Sequence, residues 1–173
     1  LINLNIYYSN ENQLYFMSDG LWNNPWGAGA QLSHYFFFLQ LNPELNKNKI
    51  LNILNKLEGY KKQDGWYFNR PTDHVRINGI MKVFTGLDII KYDYTDIEDL
   101  LKNIINSILS LNPESGGCNI YDYVYVLSKS KNINYRVDEC KEKLIKIYLL
   151  ILSYQHPDGG FSYNKNSTTT SMY

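Results

Sequence analysis

Four short segments with the same turn chemistry punctuate the chain: Ser18-Asp19-Gly20-Leu21-Trp22, Gln63-Asp64-Gly65-Trp66-Tyr67, Glu114-Ser115-Gly116-Gly117-Cys118 and Pro157-Asp158-Gly159-Gly160-Phe161. Their first glycines, Gly20, Gly65, Gly116 and Gly159, stand 45, 51 and 43 residues apart, with apolar segments of helical length between them. That spacing suits two helices and their turns, and one such hairpin cannot bury its apolar face without neighbours. The expectation is a repeat protein: one all-α domain over residues 1–173, made of about three and a half antiparallel helical hairpins.

Between the turns the periodicity alternates. Gly29 to Leu41 is apolar nearly all round, with Leu32, Tyr35, Phe36, Phe37, Phe38 and Leu39, as expected of a helix enclosed by others. Leu45 to Leu57 instead places Ile50, Ile53, Leu54 and Leu57 on one stripe opposite Lys47, Lys49, Asn52, Asn55 and Lys56. Asp73 to Lys91 returns to the enclosed type, and its Gly79 and Gly86, seven apart, make a face that another helix could approach closely. Thr95 and Glu98 predict a capping box opening Asp96 to Leu111, which Pro113 closes. Asn119 to Ser128 and Val137 to Tyr154 form the third pair, and a fourth begins after Phe161. Strand signals are confined to Ile2 to Tyr8 and Gln13 to Met17. Helices that follow an Asp-Gly turn are thus expected on the inside, lining a concavity, and those that precede one on the outside.

Charge and cysteine usage remove several functions. Lys plus Arg and Asp plus Glu are 17 each, so there is no basic field for a nucleic acid backbone. The most apolar stretch, Leu144 to Tyr154, contains Lys146 and has about half of the roughly 20 residues of a membrane span. Cys118 and Cys140 belong to no Cys-x-x-Cys pair, and no metal set is expected. Phosphate loops, Gly-x-Ser-x-Gly and His-Glu-x-x-His are absent, so no cofactor can be read. Leu1 to Tyr8 carries no signal-peptide pattern, which makes the cytoplasm the expected location.

Tyr154-Gln155-His156-Pro157-Asp158-Gly159-Gly160-Phe161 resembles the Gln-x-x-Asp-Gly-x-Trp/Phe turn of terpenoid cyclases and protein prenyltransferase β-subunits. Gln63-Asp64-Gly65-Trp66 keeps the Asp, Gly and Trp and displaces the Gln, and the third copy keeps only Pro and two glycines. The resemblance, over about residues 19 to 173, implies an α/α toroid of inner and outer helices with a ligand held in its concave face. In that family the turn is structural. The family's Asp-x-Asp-Asp acid and its Asp, Cys and His zinc set have no counterpart here; Asp96-Ile97-Glu98-Asp99 reads as first-turn acids facing a helix dipole. Three and a half hairpins do not close a six-hairpin ring, so further chain or a second copy is expected to complete it.

In such toroids the cavity lies against the N-terminal ends of the inner helices, where free N–H groups gather. Candidate residues follow from that placement. The second inner helix offers Asp73 and His74 for acid/base work, with Arg76, Asn78 and Lys82 for an anionic group. His34 with Gln31 shares a face of the first, near Trp22 and Trp26, and the third contributes Tyr121 and Asp122. Three readings stand open. One is a toroid enzyme with an apolar pocket and a diphosphate near Arg76 and Lys82. Another is a carbohydrate-active α/α barrel pairing Asp73 with Asp122 beside an aromatic platform. The third is a non-catalytic repeat module that binds a partner.

Overall fold

Asn24 and Asn42 each precede a proline, and each proline takes the first helical position, where its missing N–H costs nothing. The computed structural model describes residues 18–112 and 117–162, except the Cys118 side chain, and the chain divides into two units, Leu1–Tyr92 and Asp93–Tyr173. Among the described residues the secondary structure is seven α-helices, two 3-10 turns and one two-stranded sheet, in keeping with the all-α expectation.

The first unit holds α1 (Asp19–Trp22), α2 (Pro25–Gln40), α3 (Pro43–Glu58), the strands β1 (Lys61–Lys62) and β2 (Gly65–Trp66), and α4 (Asp73–Ile89). Two expectations change here. The first copy of the turn is itself one turn of helix, and α2 begins at Pro25 rather than Gly29, because Asn24 Oδ1 accepts the Gly27 N–H at 3.4 Å and carries the helix through two glycines. The stripe on α3 is as expected, with Ile53 and Leu57 buried, Ile50 and Leu54 half-buried and the lysines exposed.

Glycine decides how α2 meets α4. A Cβ on Gly79 would lie 2.7 Å from Pro25 Cβ and 2.8 Å from its backbone carbon. One on Gly29 would lie 2.9 Å from Lys82 Cβ, and one on Gly86 3.0 Å from the Phe36 ring. Contacts climb both helices together, 25 with 79, 29 with 82 and 36 with 86, so α2 and α4 run parallel at a separation that larger residues would forbid. A parallel pair needs a return between them, and α3 supplies it.

The β1–β2 hairpin joins α3 to α4 through the second copy of the turn, with Lys61 opposite Trp66 and Lys62 opposite Gly65. Gly65 has φ 150°, a conformation that L side chains rarely adopt. The Tyr67 N–H donates to the Tyr60 carbonyl at 3.0 Å, and Trp66 packs edge-on to Phe84. Trp22 is fully buried and stacks on Tyr60 at 5.0 Å, while the Tyr60 hydroxyl donates to Asp19 at 3.0 Å. Burial and that bond push Tyr60 up to about 12.

The second unit runs through a 3-10 turn (Tyr94–Ile97), α5 (Glu98–Ser110), α6 (Gly117–Ser128), a second 3-10 turn (Lys129–Ile133) and α7 (Val137–Leu152). The expected Thr95–Glu98 capping box is replaced: Asp93 Oδ1 accepts from the Thr95 N–H at 2.9 Å and its hydroxyl at 2.8 Å, which nucleates the 3-10 turn first. Leu101, Ile104, Ile105 and Ile108 of α5, Ile120, Val126 and Leu127 of α6, and Cys140 and Ile147 of α7 form this unit's core. Burial pushes the Cys140 thiol up, the environment of an inert thiol.

The fourth copy closes α7 as the second closes α3. Gln155 bridges Phe161, the Ser162 N–H donates to the Tyr154 carbonyl at 3.1 Å, and Gly159 has φ 86°. Residues 113–116 of the third copy, the strand signals before Ser18 and the helix expected after Phe161 lie outside the described residues.

Candidate functional site

The polar opening of α4 is built around a residue of the turn before it. Asp64 has a side chain only 13 % exposed and accepts three ways: from the Tyr67 hydroxyl at 2.7 Å, from Arg70 Nη1 at 3.0 Å, and from Arg76 Nη1 at 3.5 Å. Arg76 Nη1 also donates to the Asp64 carbonyl at 2.9 Å, and its Nη2 and Nε donate to Asp73 at 3.0 and 3.3 Å. Arg70 reaches Asp73 at 3.7 Å. Two arginines thus meet two aspartates, and the Arg76 guanidinium, fully buried, is satisfied on both edges.

Electrostatics follow the same geometry. Burial first, and then the Asp64 carboxylate, hold Tyr67 above its ordinary range, so its proton stays in the bond it donates. The Asp64 charge likewise strengthens the proton hold of Arg70. Asp73 is the first residue of α4; Thr72 occupies the cap and makes no side-chain cap bond. Asp73 and Arg76, both expected at a ligand, are paired with each other. Asp64 is what residue spacing did not single out, and the available signal was its place 12 residues ahead of an arginine on a mostly apolar helix.

The remaining candidates scatter in burial. His74 is half-buried, Lys82 half-buried with its stem against Gly29, and Asn78 6 % exposed with an Oδ1 that meets no partner among the described residues. Gln31 and His34 are exposed on α2, and Trp26 is 51 % exposed in its first turn. Trp22 is core, not platform. Asp122, on α6 in the second unit, is 2 % exposed.

The second unit contributes an open apolar cleft of about 280 Å³. Gly117, Ile120, Tyr121 and Val124, one stripe along the first two turns of α6, form one wall. Ile151 at the end of α7, Tyr154 and Phe161 of the fourth turn, and Ser162 complete the lining. Tyr121 is 58 % exposed there, and its ring lies 6.2 Å from that of Tyr125. Of the residues expected at a ligand, it alone lines this cleft.

A second, polar cleft of about 400 Å³ lies between the end of α5 and the first half of α7. Lys143 donates there to the Leu111 carbonyl, and burial, with Lys146 second, holds its amine below the usual lysine range. Arg136 is already committed to Glu139 at 2.7 Å and Asn106 at 2.6 Å. Among the described residues no three His, Cys, Asp or Glu side chains gather as a metal site would require, and no helix is long and apolar enough to cross a membrane. No protein-family model, curated protein or solved structure matches the chain.

Proposed function

We propose that this chain belongs to an α/α toroid of helical hairpins whose inner-helix side takes a hydrophobic small molecule, an isoprenoid-type compound being the chemical class that suits it. The observation that carries this reading is the apolar cleft on α6, where Ile120, Tyr121, Val124 and Phe161 offer aliphatic and aromatic surface with few polar groups. A cleft so lined gains about 25 cal/mol per Å² of apolar ligand surface covered, whereas sugar hydroxyls there would lose water bonds without replacement. The parallel α2–α4 pair with α3 as its return supports the toroid, because inner helices of such a ring share one direction.

The test is equilibrium binding of a dansyl-labelled farnesyl chain against dansyl-labelled maltose. The wild type should bind the isoprenoid and not the sugar. Val124→Trp, which fills the cleft from a half-buried position, should weaken isoprenoid binding by about tenfold or more, near 1.4 kcal/mol, with unchanged circular dichroism. Equal affinity in wild type and variant, or preference for the sugar, overturns the reading.

A second reading, a binding module that performs no chemistry, is favoured by the charged groups at the opening of α4, which are committed to one another. Chromatography of the isoprenoid after prolonged incubation distinguishes the two: unchanged probe supports the module, and a converted product the enzyme.

A further inference from the structure

We draw no further inference here: the strongest candidate, the apolar stripe of Ile145, Tyr148, Leu149 and Leu152 exposed along the last turns of α7, carries nothing because no observation in the structure shows what covers it.

Discussion

The second and fourth copies of the turn close their hairpins alike and then part. In both, a helix ends, one capping residue follows, and a buried tyrosine carbonyl, of Tyr60 or Tyr154, accepts the N–H that shuts the turn. In the first unit Asp64 then turns inward and gathers Tyr67, Arg70 and Arg76, tying the hairpin to α4. In the second, Asp158 is exposed and, among the described residues, accepts from the Gly160 N–H at 2.9 Å alone. One short motif therefore does two jobs, and an arginine 12 residues downstream of Asp64 makes the difference. A motif that sets a backbone path says little about what its side chains will meet.

That contrast can be broken most severely at Arg76. Arg76→Met deletes the buried guanidinium that joins Asp64 to Asp73, leaving Asp64 to Tyr67 and Arg70, and should cost about 3 kcal/mol in urea unfolding. Asp158→Asn, in the exposed copy, should change stability by no more than about 0.5 kcal/mol. If the two substitutions cost the same, the turns are equivalent after all.

Alkaline titration sharpens the comparison next. Tyr60 is held near 12 against an ordinary 10, so the folded state grips its proton more tightly. The stability this provides, about 2–3 kcal/mol, is complete below pH 10 and lost as pH rises through 12. Tyr60→Phe should flatten that loss in unfolding experiments between pH 9.5 and about 12, and persistence of the slope in the variant would show that another group is responsible.

Glycine substitutions give the next smaller contrasts. Gly79→Ala should destabilise by about 1–3 kcal/mol, because its Cβ meets the Pro25 backbone, which cannot step aside without moving α2. Gly159→Ala, at φ 86° but with open space around it, should cost only the conformational strain, about 1 kcal/mol. Gly20→Ala, helical and uncrowded, should stabilise by at most about 1 kcal/mol. Thermal melts of the three rank crowding, conformation and propensity separately; the reverse order would refute the close α2–α4 approach.

Much of the fold can be read before folding. The Asp73 helix starts where its polar opening predicts and stops at Ile89, two residues early, and Gly79 and Gly86 do admit a neighbour. The α3 stripe survives intact, since a 3.6-residue period is a local property. The α2 start was hidden by Gly27 and Gly29, poor helix formers, of which Gly29 is required by the packing against α4. The Thr95–Glu98 signal lost to Asp93, an equally local competitor two residues upstream. The candidate site was legible in composition and not in role. Asp73, Arg76 and Asn78 were visible as polar residues on an apolar helix, but the burial of Arg76 and its bond to the Asp64 carbonyl depend on how the turn 12 residues upstream folds back onto α4.

By itself the sequence determined the helical periods, the alternation of enclosed and amphipathic helices, and the glycines where close approach is possible, because each is set by residues within a few turns of one another. Tertiary structure alone decided which helix fills the glycine face, that Arg76 is buried against Asp64, and that Tyr121 borders a cleft while Trp22 disappears into the core. Those outcomes depend on which surfaces meet, and burial of a charge or a ring is settled only when the chain brings separate segments together.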